Sequence, residues 1–296
     1  MKIIITGGSG LLGQYLNIYL NREHSILTVY NNSVGNCTEY NSLKTDLNNT
    51  YYLSEVIKEF RPDILIHTAA VSRPEECDKL SYEYVIKINY NLTELLSEYC
   101  NKIKCRLIFT STDLVYDGDT NKIQDESSIP KPVSLYAQTK LDSENFIREN
   151  CNDYLILRTS LLYGIGLNGS SCNFHNMLIS FKKGEKVRLF YDQYRTPLSL
   201  HNSAKIIDEI AKSEIKNVTM NFGGSERISR SELGEMVCRK FNFDLDLIEK
   251  TSLKESVTKN KVIDVSMNTD MLRSFGFSQM SIEESLEKIQ SEIDAI

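Results

Sequence analysis

Along the first 160 residues, short apolar runs alternate with stretches in which apolar side chains recur every three or four positions. The first pattern fits strands buried on both faces of a sheet, and the second fits helices packed against it. Lys2–Thr6 predicts a strand, Leu11–Leu20 a helix, Ile26–Tyr30 a second strand, and Leu43–Asp46 a third after a short polar crossover. Tyr51–Phe60 reads as a helix, Asp63–His67 as a fourth strand directly after Pro62, and Tyr82–Cys100 as one long amphipathic helix. Arg106–Thr110, Ser134–Glu149 and Tyr154–Arg158 continue the alternation as strand, helix and strand. This succession predicts an α/β fold built on a doubly wound parallel sheet.

Beyond residue 160 the pattern loosens. Tyr163–Ser171 is glycine-rich and reads as a loop, Phe174–Lys183 as a helix and Lys186–Phe190 as a strand. Helices over Ser199–Lys212, Ser229–Phe241 and Ser281–Ile293 are separated by short extended pieces. A boundary near residue 165 divides a first domain, 1–165, from a smaller α/β part, 166–296, with room for some later segments to return to the first.

The chain of 296 residues is long enough for an ample core, and its net charge of −6 gives no general attraction to nucleic acid or anionic membranes. Any phosphate site must then be built locally, from backbone N–H groups and a few arginines. Seven cysteines, at 37, 77, 100, 105, 151, 172 and 238, form no C-x-x-C pair and have no histidine at metal-ligand spacing, so no metal is expected. They read as free thiols of a reducing compartment. Met1-Lys2 runs straight into an apolar strand without a leader-like pattern, and no apolar run approaches the ~18–20 residues of a membrane helix. A cytoplasmic protein is expected.

Gly7-x-x-Gly10-x-x-Gly13, with Ser9, Leu11 and Leu12 between the glycines, lies where the first strand hands over to the first helix. Glycines there permit a tight turn and close approach of backbone to a pyrophosphate, at which the helix N-terminus directs its free N–H groups. At the end of the second strand, Asn31, Asn32 and Ser33 are neither acidic nor basic. Without an acid to repel a 2′-phosphate, NADP is favoured over NAD, although NAD is not excluded. Thr68, Ala69 and Ala70 end the fourth strand with side chains small enough for a cofactor to lie beside the backbone, while His67 reads as a strand-packing residue. Asp46-Leu47 follows the third strand and resembles the pair that extended short-chain dehydrogenase/reductases set against adenine, with a helix cap as the alternative; Asn89 resembles the asparagine with which such enzymes hold active-site backbone, with an ordinary polar helix residue as the alternative.

Ser111-Thr112-Asp113-Leu114 leaves the fifth strand at the sheet edge where open α/β folds bind ligands. Downstream, Tyr136 and Lys140 stand at i,i+4 on one helix face. A cation beside a phenol favours the phenolate, so Lys140 is expected to draw the Tyr136 pKa down from about 10. Thr112, Tyr136 and Lys140 together suit proton transfer at a carbonyl oxygen.

With these motifs the chain resembles the dTDP-4-dehydrorhamnose reductase family of extended short-chain dehydrogenase/reductases over nearly its whole length. The likeness extends to Asp125-Glu-Ser-Ser-Ile-Pro-Lys-Pro132, Leu157-Arg-Thr-Ser-Leu-Leu-Tyr-Gly164, Asn173-Phe174 and Asp192-Gln-Tyr-Arg-Thr-Pro197. The resemblance implies a Rossmann-type first domain with NADP or NAD on the glycine turn. It implies Thr112, Tyr136 and Lys140 as catalytic groups, and a nucleotide-sugar substrate near Arg73, Thr112, Asp113, Leu114, Tyr136, Asn173 and Arg195. For Arg73, ordinary surface charge is the competing reading.

Sugar-nucleotide 4,6-dehydratases are similar but carry Thr-Asp-Glu where this chain has Thr112-Asp113-Leu114. Without the second carboxylate, dehydration is disfavoured and reduction of a 4-keto-6-deoxy nucleotide sugar remains. The family often has an aromatic residue in place of Leu114 and Gly-Ser/Arg-Pro-Thr in place of Arg195-Thr-Pro-Leu198, which leaves the particular sugar open. The beta subunit of methionine adenosyltransferase is also similar, notably around Ile129–Leu141, and implies a different class of function, an NADP-binding regulatory subunit. A homodimer is left open.

Overall fold

Ile3 and Ile5 pack into one buried apolar layer and Ile4 into another, so the first strand is covered on both faces. The computed structural model describes residues 1–118, 122–257 and 261–293, and in it this strand lies near the middle of a parallel sheet. The strands are β1 (Lys2–Thr6), β2 (Ser25–Tyr30), β3 (Ser42–Lys44), β4 (Ile64–His67), β5 (Arg106–Thr112), β6 (Tyr154–Thr159), β7 (Leu162–Tyr163), β8 (Val187–Phe190), β9 (Tyr194–Arg195), β10 (Leu198–Ser199), β11 (Val218–Phe222), β12 (Ile228–Ser229) and β13 (Ile248–Thr251). Seven of these make the central sheet in the order β11-β6-β5-β4-β1-β2-β3. The order reverses between β1 and β4, and a crevice opens at such a point beyond the carboxyl ends of the strands.

The helices are α1 (Leu11–Leu20), α2 (Thr50–Phe60), α3 (Pro74–Cys77), α4 (Tyr82–Ile86), α5 (Leu92–Ile103), α6 (Leu135–Asn150), α7 (Asn173–Lys182), α8 (Leu200–Lys212), α9 (Arg230–Phe241), α10 (Asp270–Ser274) and α11 (Ile282–Ile293). Leu12 and Leu16 of α1 and Ile206, Ile207 and Ile210 of α8 cover one face of the sheet, and Leu53, Leu96 and Ile147 of α2, α5 and α6 cover the other. A third apolar cluster joins α7, α9 and α11 through Phe174, Phe181, Val237 and Leu286. The two-strand pairs β8–β13 and β9–β12 also lie outside the central sheet.

The expected Rossmann-type α/β architecture is present, and three local departures have physical causes. The segment predicted as a single helix over Tyr82–Cys100 is interrupted by a π turn at Lys87–Asn91. The turn carries Asn89, which accepts from Val71 N–H at 2.8 Å and donates to Thr139 Oγ1 at 3.2 Å. β5 runs two residues past the predicted end, because Ser111 and Thr112 stay in register with Arg158 and Thr159 of β6. β11, read from sequence only as an extended piece, joins the sheet edge beside β6.

One face of α6 is buried although much of it is polar: Tyr136, Thr139, Lys140, Ser143 and Glu144 all lie against the sheet side. Glu144 is met by Arg158 Nη2 at 2.8 Å and by Ser111 Oγ at 2.5 Å, and Arg158 also donates to the Tyr116 hydroxyl at 2.8 Å. Tyr116 in turn donates to Asn221 of β11 at 2.9 Å. Arg148 Nη1 also reaches Glu144 at 3.0 Å but from a part-exposed position, so loss of Arg158 leaves the buried carboxylate only partly compensated. Arg158→Met should therefore lower stability by about 3–5 kcal/mol, read as a displaced urea midpoint; an unchanged midpoint would mean the pair contributes nothing.

Candidate active site

Every strand end at the switch point contributes to one cleft of about 650 Å³. Gly7, Ser9, Gly10, Leu11, Leu12 and Gly13 follow β1; Asn31, Asn32 and Ser33 follow β2; Asp46 and Leu47 follow β3; Thr68, Ala69 and Ala70 follow β4. Thr112, Asp113 and Leu114, at the end of β5, and Tyr136 and Lys140, on α6, line the same cleft.

The glycine turn has no space for side chains. Gly7 has φ +74°, and a Cβ there would lie 2.8 Å from Ala69 N; a Cβ on Gly13 would lie 2.2 Å from Gly7 O. α1 begins at Gly10 without a side-chain cap and has no acid in its first turn, so its N-terminal N–H groups and positive dipole end are left for a ligand. This cradle fits the pyrophosphate of a dinucleotide. Thr68 Oγ1 donates to Thr6 O at 2.7 Å, fixing the β4 exit against the β1 exit. The Asp46 carboxylate accepts from Asn48 N–H at 2.9 Å, and the cap of α2 is Asn49.

Tyr136 is hydrogen-bonded to Thr112, whose Oγ1 in turn donates to Asp113 Oδ1 at 3.3 Å. Burial, and next Asp113, push the Tyr136 phenol well above its ordinary value, against the hydrogen bond shared with Thr112. The expectation that Lys140 draws this pKa down is not met. Lys140 Nζ donates to Thr110 O at 2.8 Å and lies 4.5 Å from the centre of the Phe109 ring. Burial brings the amine itself down to about 7, against the pull of Glu144. A group that gives up its charge so readily is a weak electrostatic partner at neutral pH. His67 packs between Thr6 Oγ1 at 2.7 Å and Thr93 Oγ1 at 3.2 Å, with burial holding it neutral at about 3, as a strand-packing residue should be.

Asp113 is buried; burial raises its pKa against the opposing effects of Arg195, Ser160 and Thr112. Arg195 Nε stands 3.5 Å from Asp113 Oδ2. Arg230, at the first position of α9, lines the cleft too, although nothing in its sequence marks it: Ser229 and Glu232 announce only a helix start. The remaining predicted residues are dispersed. Arg73 is exposed, donates to Ser171 O at 3.4 Å and does not line the cleft. Asn173 lines a second cavity of about 300 Å³ with Phe174, Met177 and Phe190, and this cavity shares Leu161, Leu162 and Arg230 with the first. Asp192 faces neither; it accepts from Leu253 N–H at 2.7 Å and from Ser252 Oγ at 2.6 Å. Among the described residues, no helix is long and apolar enough to cross a membrane.

Doubly wound sheet, glycine cradle, and a Thr-Tyr-Lys set at the β5 edge define an extended short-chain dehydrogenase/reductase. More narrowly, the chain belongs to the RmlD substrate binding domain family, whose sequence pattern matches residues 1–294. It is 26% identical over 98% of its length, and 98% of the relative's, to a probable low-salt glycan biosynthesis reductase, Agl14, of Haloferax volcanii. Methionine adenosyltransferase 2 subunit beta of Bos taurus is 24% identical over 96% of this chain and 87% of its own. The crystal structure of dTDP-4-dehydrorhamnose reductase from Bacillus anthracis, solved in complex with NADP, superposes with a TM-score of 0.83 at 27% identity, covering 98% of this chain and 99% of that one.

Lys140 has a testable pH signature. Its folded pKa of about 7 lies below the ordinary 10.5, so between these values the unfolded chain binds more protons than the folded one. Stability then rises with pH across that window, and the burial cost is fully present only below it. Urea unfolding from pH 7 to 10 should show wild type gaining on Lys140→Met, by as much as a few kcal/mol. Parallel curves would place the lysine outside the buried site.

Proposed function

We propose that this protein uses NADPH to reduce the C4 ketone of a 4-keto-6-deoxy nucleotide sugar, in the formation of deoxysugar or polysaccharide precursors. The observation that carries the reading is the convergence of Thr112, Tyr136 and Lys140 on the cleft that the glycine turn opens. A reduced nicotinamide bound there supplies the hydride. Tyr136, kept protonated by burial and by Asp113, gives its proton to the carbonyl oxygen. Thr112 orients that oxygen by hydrogen bonding. In this reading Lys140, which lines the cleft, holds the nicotinamide ribose and returns a proton towards Tyr136. Leu114 supplies no carboxylate beside Asp113, which favours plain reduction over loss of water.

NADPH is favoured over NADH because Asn31, Asn32 and Ser33 line the cleft at the β2 exit and offer hydrogen bonds without a repelling acid. The relative named as a methionine adenosyltransferase subunit supports a second reading, an NADP-binding regulatory subunit. Both readings need the cradle; only the reductase needs all three proton-transfer groups.

Incubation with NADPH and a panel of 4-keto-6-deoxy nucleotide sugars should consume the reduced-nicotinamide absorbance with at least one of them. Tyr136→Phe should cut that turnover by about 10²-fold or more while leaving NADPH binding in place; retained turnover would refute the assigned proton donor. Silence with every sugar, joined to stable co-purification with a methionine adenosyltransferase, would favour the regulatory subunit. Fluorescence titration should find NADPH bound at least as tightly as NADH, and a tenfold preference for NADH would reverse the cofactor choice.

A further inference from the structure

Gln14 follows the last glycine of the cradle and is a polar side chain with no exposed surface. Its Nε2 donates to Ser9 O at 3.1 Å, inside the glycine turn. The same nitrogen donates to Leu167 O at 2.9 Å and Ser170 Oγ at 3.2 Å, in the glycine-rich segment 164–172. Its Oε1 accepts from Asn168 Nδ2 at 3.1 Å. A primary amide has two hydrogens, and here it meets three acceptors, so the turn and the segment draw on one donor group. Packing fixes where that amide sits. A Cβ on Gly35 would lie 2.9 Å from Gln14 Cδ, and Asn36 Nδ2 donates to Gln14 O at 3.1 Å. The loop that holds Gly35 and Asn36 also supplies Asn31, Asn32 and Ser33 to the cleft, so Gln14 stands where three segments meet.

The segment 164–172 has few anchors of its own. Ile165, Leu167 and Cys172 are only partly buried, and Asn168 and Gly169 turn the chain at φ +45° and +82°. Several of its hydrogen bonds stay local, as from Gly166 N–H to His175 Nδ1 at 3.0 Å. A stretch with little buried apolar surface opens at a low cost in free energy. Tyr15 of α1 also holds it, donating to Ile165 O at 2.8 Å, but that bond does not touch the glycine turn. At its far end the segment runs into α7, whose Asn173 and Phe174 line the second cavity. Gln14 therefore lies on a short route from the cradle to the wall of that cavity.

We propose that Gln14 is a positioning residue that couples the cradle to the segment 164–172, so that a dinucleotide bound at the cradle orders the segment. This rests on the dinucleotide reading of the glycine turn. Phosphate oxygens that engage the N–H groups at the start of α1 hold the turn still, and Ser9 O with it. Gln14, settled against Ser9 O, then meets Leu167 and Ser170 from a fixed position, and less entropy is lost when the segment docks. The coupling is reciprocal, so an ordered segment in turn favours the bound cofactor.

The test is hydrogen exchange of the intact chain with and without saturating NADPH, read by mass spectrometry on peptides covering 164–172. In wild type, NADPH should slow exchange there by about fivefold or more. Gln14→Met, of similar length but without the amide, should abolish the slowing. It should still bind NADPH, weakened by no more than roughly tenfold, because the N–H groups of the cradle are unchanged. Tyr15→Phe is the control: it removes a bond to the same segment from outside the turn. That variant should speed exchange equally with and without NADPH and so keep the slowing that NADPH causes. If Gln14→Met does not fold, Ser170→Ala, which removes one acceptor on the segment side, takes its place and should reduce the slowing. The proposal is overturned if NADPH binds wild type and leaves exchange in 164–172 unchanged. It is equally overturned if the substitution at Gln14, or at Ser170 in its place, keeps the full slowing, or if Tyr15→Phe loses it as completely as Gln14→Met. If wild type binds no dinucleotide, the reading of the cradle fails and the coupling fails with it.

Discussion

The site depends on the burial of a polar helix face. α6 presents Tyr136, Lys140 and Glu144 one turn apart, and all three are buried. Apart from Tyr136, Ala137 and Ile147, the buried face is polar, and its polar groups are paired: Glu144 with Arg158 and Ser111, Lys140 with Thr110 O, and Ser143 Oγ with Asn89 O at 3.0 Å. Each of these partners lies on β5, β6 or the π turn, the elements that frame the cleft. A satisfied network of this kind fixes register where an apolar face could slide. The Glu144–Arg158 pair anchors this face two turns along from Tyr136.

The same economy of contacts links the two halves of the chain. Arg158 leads through Tyr116 to Asn221 on β11, and Asn221 Nδ2 donates to Gln124 O at 3.1 Å and Asn268 O at 3.0 Å. β11 comes from beyond residue 165 and completes the sheet edge beside β6. The later part of the chain is thus tied to the sheet by hydrogen bonds as well as by apolar packing.

Electrostatics in the cleft runs opposite to a simple reading of Tyr-x3-Lys. Spacing alone puts phenol and amine on one face, and a charged amine there would favour the phenolate. Burial makes the amine give up its charge near neutrality and makes the phenol hold its proton. Both shifts arise from desolvation, which no one-dimensional spacing reveals. For reduction the outcome is favourable, since the group required at the carbonyl oxygen is a protonated one.

The sequence by itself determined the alternation of strands and helices, the glycine cradle and the Thr112–Tyr136–Lys140 set, because each is written in local spacing: apolar period, a turn that excludes Cβ atoms, and an i,i+4 pair. Tertiary structure decided the rest. It set aside Arg73, which stays exposed at the surface, and Asp192, which folds back on Leu253; it brought in Arg230, whose neighbours in sequence mark only a helix cap. It broke a predicted long helix with a π turn so that Asn89 could clamp Val71 and Thr139, and it recruited β11 to the sheet. In each case the deciding partner is tens of residues distant, and the physical quantity at stake, the desolvation of a charged or polar group, depends on what surrounds it in space.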